Sequence, residues 1–140
     1  MVEIDFDQIE EELELVVPII YRMFIDAVNT KGLDLERFGI YHNTEAVLQG
    51  NTHLRANLAG SIPRWKSDYF DFRVGDGCGN YFFLLASDEE DNLVQLWAHD
   101  PAGIEKVSSG TDFFMDLIAE IEAEFKGPNQ YRFQGNDSWD

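Results

Sequence analysis

Acidic side chains dominate the residues that could do chemistry. The densest group is Asp88, Glu89, Glu90 and Asp91, followed by Asn92. Carboxylates placed this way can ligate a hard cation or face a cationic partner. A calcium loop needs ligands at alternating positions, a mid-loop glycine and a distal glutamate, and that spacing is absent. A solvated turn and a contact for a cationic patch are the readings that remain. Glycoside hydrolysis would need two carboxyls facing each other across a cleft. With 27 acidic residues in the chain, sequence spacing identifies no such pair.

Other nucleophiles and ligands are sparse. Cys78 is the one cysteine, so no intrachain disulfide can form. It lies in Gly75-Asp76-Gly77-Cys78-Gly79-Asn80, which matches neither the phosphate-binding nor the dinucleotide-binding glycine spacing and leads into a strand pattern rather than a helix. A reactive thiol needs a lowered pKa and a paired base, and neither is visible locally. Turn chemistry is the expectation here. His42, His53 and His99 show no metal-ligand spacing. His99-Asp100 has the form of an oriented base, but no nucleophile elbow accompanies it. The expectation is a protein without catalytic residues, metal or cofactor, built to bind another protein.

Charge supports that expectation. The chain of 140 residues carries a formal net charge of -17. Residues 1–29 hold eight acidic side chains and one basic, and residues 74–140 hold fourteen and three, while the middle is close to neutral. Such a field repels nucleic acid and anionic membrane surfaces and attracts cationic partners. The length suits one domain, and a hydrophobic fraction of 44% with 11 phenylalanines is enough for a core. The acidic N-terminus lacks the basic and apolar regions of a signal peptide, and no apolar run approaches a bilayer span. These features predict a soluble protein of a reducing cytoplasm.

The elements that position the acid follow from periodicity. Ile4, Phe6, Ile9, Leu13, Val16 and Val17 predict a first helix, and Pro18 opens a second that carries Ile20, Phe24, Ala27 and Val28 and stops at Gly32. Arg37–Tyr41 is a strand candidate. Asn43 or Thr44 caps a small helix through Leu48, followed by a polar patch at Asn51, Thr52 and Asn57 and a break at Gly60–Pro63. Three antiparallel strands are then expected between Tyr69 and Ala98. In the first, Phe70, Phe72 and Val74 face the core, and Tyr69, Asp71 and Arg73 face a wetter side. Tyr81–Ala86 is apolar on both faces, as in a central strand. Leu93–Ala98 is the third. Ser109 or Thr111 caps a last helix with Phe114, Leu117, Ile118, Ile121 and Phe125 inward and Asp112, Asp116, Glu120 and Glu124 outward, and Gly127-Pro128 ends it. The predicted architecture is one α+β domain over 1–140, its core at about 5–126, with N-terminal helices, a central antiparallel sheet and a closing helix packed on the sheet. Residues 127–140 form a tail.

This order of parts resembles the SUKH superfamily, which includes bacterial immunity proteins and fungal cell-wall synthesis regulators. The resemblance rests on Pro18-Ile19-Ile20-Tyr21 through Phe24, Phe38-Gly39-Ile40, Phe72 to Gly79-Asn80, Val94-Gln95-Leu96-Trp97, His99-Asp100, and Thr111-Asp112-Phe113-Phe114-Met115-Asp116-Leu117. It covers about residues 10 to 125. Val17 stands where the family commonly has leucine, Gly32 replaces a glycine pair, and Asn80 stands where an aspartate is frequent. The resemblance implies a non-enzymatic antidote that masks a polymorphic toxin, such as a nuclease or deaminase. The fungal branch implies an alternative, a regulatory or scaffold module unrelated to toxins. Independently of any family, a nuclease must present basic surface to phosphates, and an acidic protein can occupy that surface. The contact residues expected for such a partner are Asp76, Asp88, Glu89, Glu90, Asp91, Trp97 and Asp100, a place in the core being the other reading of Trp97.

Overall fold

Asp5 starts the first helix. Its carboxylate accepts the Gln8 N–H at 3.0 Å, which caps α1 (Phe6–Leu13). The helix stops at Leu13, earlier than the apolar rhythm predicts, because Glu14 turns left-handed at φ 54°. Glu10 then holds the reversal: its carboxylate accepts from Val17 N at 2.8 Å and pairs with Arg22 at 2.7 Å. Val17, an expected helical residue, is instead an extended link buried ahead of Pro18. Pro18 leads into α2 (Ile19–Lys31), which Gly32 closes at φ 66° as expected. The computed structural model describes residues 2–35, 38–87 and 92–126. Arg37, the first residue of the predicted early strand, the acidic turn 88–91 and the tail 127–140 lie outside them. Of the early strand, Ile40 makes an isolated antiparallel bridge to Arg73.

Asn43, one of the two predicted caps, accepts the Ala46 N–H at 2.8 Å and opens α3 (Thr44–Leu58). The expected small helix is ten residues longer than its predicted end at Leu48, and it absorbs the polar patch. The reason is tertiary. Gly50 has no side chain because the Tyr41 phenol occupies the space a Cβ would fill. Asn51 spends its amide on neighbouring backbone. Both are poor helix formers in isolation, and packing overrides propensity.

The sheet is an antiparallel meander in the order β1-β2-β3-β4: β1 (Tyr69–Asp71), β2 (Tyr81–Leu85), β3 (Leu93–His99) and β4 (Ala102–Ser109). The fourth strand was not among the expected elements. Its sequence AGIEKVSS lacks a clean alternation, and a bulge against Val94/Gln95 interrupts its register. Both faces of the sheet are covered. Phe70, Phe72, Leu84 and Val94 join α1, α2 and α4 in the main core, while Tyr69, Phe83 and Trp97 pack with Leu54 and Trp65 on the other side. The expectation of a wetter face on β1 is therefore corrected: Tyr69, Phe70, Asp71 and Phe72 are all buried, and Val74 is 59% exposed. Finally α4 (Gly110–Lys126) starts where the Ser109 hydroxyl accepts the Asp112 N–H at 3.1 Å. Phe114, Leu117 and Ile121 pack inward, and Asp112, Asp116 and Glu120 stand exposed. The architecture is α+β with the closing helix on the sheet, as the residue pattern predicts. No helix among the described residues is long and apolar enough to cross a membrane.

Candidate functional site

The most unusual chemical group in the fold is Asp71, the last residue of β1 and only 1% exposed. Its backbone is fixed first. Asn51 of α3, itself fully buried, accepts the Asp71 N–H at 2.8 Å through its amide oxygen. The Asn51 amide nitrogen donates to Asp71 O and Val47 O, both at 2.9 Å. One side chain thus stands where the backbone of a neighbouring strand would, on the edge of β1 that β2 does not pair.

The carboxyl is held next. Tyr41 donates its hydroxyl to Asp71 Oδ2 at 2.6 Å. Tyr41 is placed by the room at Gly50 and by its own carbonyl, which accepts the hydroxyl of buried Tyr21 at 3.1 Å. Asp71 Oδ1 is buried and has no hydrogen-bond partner of good geometry. Burial pushes the Asp71 carboxyl up to about 7; the Tyr41 hydrogen bond and the nearby Arg73 backbone N–H pull in the other direction and only partly offset it. Burial also pushes the Tyr41 and Tyr21 hydroxyls well up, with the Asp71 charge adding to it. Asp71 is therefore a carboxyl that exchanges its proton around neutral pH, beside phenols that keep theirs.

Asp71 forms part of the wall of an open hollow of about 450 Å³ between α3 and the sheet. Tyr41, Gln49, Gly50, His53, Leu54 and Tyr81 complete it. Tyr81 is positioned by Gly75, whose missing side chain leaves space for the ring, and by Trp65 and Trp97 at 6.2 and 6.1 Å between centroids. Among the described residues no lysine or arginine lines the hollow. A second hollow of about 540 Å³ lies between β4 and α4. Its cation, Arg73, is already engaged: it lies 5.4 Å over the Phe82 ring and reaches the Phe38 carbonyl at 3.4 Å.

Of the expected contact residues, Asp76 and Asp100 are exposed and belong to turns at one end of the sheet. Asp88, Glu89, Glu90 and Asp91 lie outside the described residues. The strand ends Leu85 and Leu93 stand at the opposite end of the sheet, roughly 13 Å away along β2 at about 3.3 Å per step. Trp97 requires a correction. It is 2% exposed and donates its indole N–H to the Pro63 carbonyl at 3.0 Å, so it is core and offers no surface to a partner. Asp76 also has an internal role: it accepts from Cys78 N at 2.7 Å, Asn80 N at 3.1 Å and Asn80 Nδ2 at 2.9 Å, and these bonds hold its carboxyl below the usual range. Gly77 and Gly79 take positive φ in that turn, and Gly79 lets the chain pass close to His99. Cys78 is exposed at its tip.

Asp71, Tyr41, Asn51 and Tyr81 were not singled out by sequence reasoning. The available signal was an acid set among aromatic residues, Tyr69-Phe70-Asp71-Phe72, in a strand too apolar on both faces for a wet side. No family model matches the chain, and neither a curated protein nor a solved structure matches it.

Proposed function

We propose that the chain is an immunity protein: it binds a cognate bacterial toxin with a basic surface and masks that toxin's active or substrate-binding face stoichiometrically. In this reading it acts in the cytoplasm, without catalysis or cofactor, and engages neither nucleic acid nor membrane. The observation that carries the reading is acid displayed on a rigid frame. Asp112, Asp116 and Glu120 stand exposed on α4, and Asp76 and Asp100 on the turns at one end of the sheet. Fixed charges of one sign steer a cationic partner and cost little ordering on binding. The likeness of the element order to SUKH immunity proteins supports the same reading. A nuclease or deaminase is the proposed class of toxin.

The test is co-purification with the toxin encoded beside this gene, together with protection of cells that express it. The complex should form, and its affinity should fall at least about tenfold between 50 and 500 mM salt, since exposed charges are screened. Absence of both a complex and protection contradicts the proposal.

A second reading, a regulatory or scaffold module with no toxin partner, is favoured by a different surface. Ile20, Met23, Phe24, Ala27, Met115 and Ile118 line an apolar groove between α2 and α4, with Met23 51% and Met115 64% exposed. A partner held there would be insensitive to moderate salt, which separates the two readings.

A further inference from the structure

We propose that the hollow walled by Tyr41, Gln49, His53, Asp71 and Tyr81 receives a single organic cation, the ammonium or guanidinium head of a lysine or arginine side chain on a basic protein partner. The identity of that partner rests on the proposed function, whereas the chemistry of the hollow does not.

The wall is built for one sign of charge. Its carboxyl, Asp71, is buried, with Oδ2 held by Tyr41 at 2.6 Å and Oδ1 left without a partner. Among the described residues no lysine or arginine lines the hollow to neutralise that carboxyl, which disfavours an anion there. A metal ion lacks ligands: among the described residues no three His, Cys, Asp or Glu side chains converge. An organic cation is different. Tyr41 and Tyr81 offer aromatic rings, which attract ammonium and guanidinium groups within about 6 Å of the centroid. Both rings and Asp71 line the same hollow, so a cation held there favours the ionised carboxyl, as opposite charges do within about 4–6 Å. The hollow, about 450 Å³ and open to solvent, suits the end of a long side chain better than a folded segment. Tyr81 begins β2 next to Asn80, the partner of Asp76, so one wall of the hollow stands at the same acidic end of the sheet that would draw a basic surface in.

Proton linkage gives the site a signature. The groups that face Asp71 are Tyr21 from α2, Tyr41 from the segment before α3, Tyr81 from β2 and, across the hollow, His53 from α3. The Tyr21 and Tyr41 hydroxyls stay protonated across the neutral range, which leaves the Asp71 carboxyl to govern binding there. A cation that needs the ionised carboxyl binds in proportion to its ionised fraction. With Asp71 at about 7, that fraction falls about tenfold from pH 8 to pH 6.

The experiment uses the full chain, with n-butylammonium and propylguanidinium chlorides as probes and amide NMR as the readout. At pH 8 and constant ionic strength, saturable shifts are expected at the amides of Gly50, Asn51 and Asp71, with a dissociation constant of about 1–10 mM. Sodium chloride and n-butanol, the neutral isostere, should produce neither. Binding should weaken about tenfold at pH 6, and at least tenfold in Asp71→Asn at pH 8. Should that variant not fold, Tyr81→Leu, which leaves the carboxyl in place, is expected to weaken binding several-fold. In His53→Gln the pH dependence persists if Asp71 governs it; its disappearance overturns the assignment. Equal shifts with n-butanol, or unaltered affinity in a folded Asp71→Asn, also overturn the proposal. Failure here alongside a salt-sensitive toxin complex leaves the immunity reading intact, while cation binding without any complex removes that reading alone.

Discussion

Between pH 5 and pH 8 the wild-type chain should lose about 2–3 kcal/mol of stability through Asp71 alone, and Asp71→Asn should remove that loss. Asp71 has a folded-state pKa raised from 3.8 to about 7 by burial. Below pH 3.8 both states hold the proton and the residue contributes no penalty. Between the two values the native state keeps a proton that the unfolded chain has released, so stability declines with rising pH by about 1.36 kcal/mol per unit. Above about 7 both states are ionised, and the full penalty, on the order of 4 kcal/mol, is in place. Roughly 2–3 kcal/mol of it falls between pH 5 and 8. Asp76, whose carboxyl is held low by its turn, acts in the opposite sense, its stabilisation being lost only as pH falls below the usual carboxylate range. It therefore does not interfere within this window. Mutual repulsion of the remaining acid also grows with pH, so the informative quantity is the difference between wild type and Asp71→Asn. Urea unfolding at pH 5 and pH 8 measures it. Parallel behaviour of the two proteins contradicts a buried, proton-exchanging Asp71.

Trp97→Ala should cost about 3–5 kcal/mol, the range for deleting a buried aromatic side chain. The indole is 2% exposed, packs with Trp65 and Tyr81 at 6.5 and 6.1 Å between centroids, and satisfies the Pro63 carbonyl. Its removal opens a cavity in the smaller core and takes the indole donor from the half-buried Pro63 carbonyl. Trp97→Phe keeps part of the ring volume but not the donor, and should fall between wild type and Trp97→Ala. Urea unfolding followed by circular dichroism measures both, since the substitutions perturb tryptophan fluorescence. An exposed contact residue behaves otherwise: truncation changes stability by less than about 0.5 kcal/mol. A change that small would restore Trp97 to the surface.

The contrast between Trp97 and Asp71 shows what local pattern carries and what it omits. Helix starts were legible where a side chain caps its own chain, as at Asn43 and Ser109, because capping is local chemistry. Strands β2 and β3 were legible from apolar runs between turns. The strand β4 was not, since its bulge breaks the period of two and five of its eight residues are polar or glycine. Period two also put Asp71 on a wet face, because alternation separates two faces but does not say what lies over either. The cover is the C-terminal half of α3 and Trp65, delivered by a helix ten residues longer than its local signals predict. The site depends on that cover. Asn51 reads only as part of a polar patch in the chain, and the fold shows that it pairs with the Asp71 backbone while Gly50 beside it makes room for Tyr41.

The burial that hides Trp97 and the burial that raises Asp71 have the same source, a sheet covered on both faces. The exposed acid of α4 and the turns supplies long-range attraction, and the Asp71 hollow supplies a local receptor. The measurement that tests this account most directly is a carbon-detected NMR titration of the Asp71 side-chain carboxyl, with and without n-butylammonium. The account predicts a midpoint of about 7 in the free protein and a lower midpoint with the cation present. A midpoint below about 4.5 in the free protein, within the ordinary carboxylate range, would contradict it.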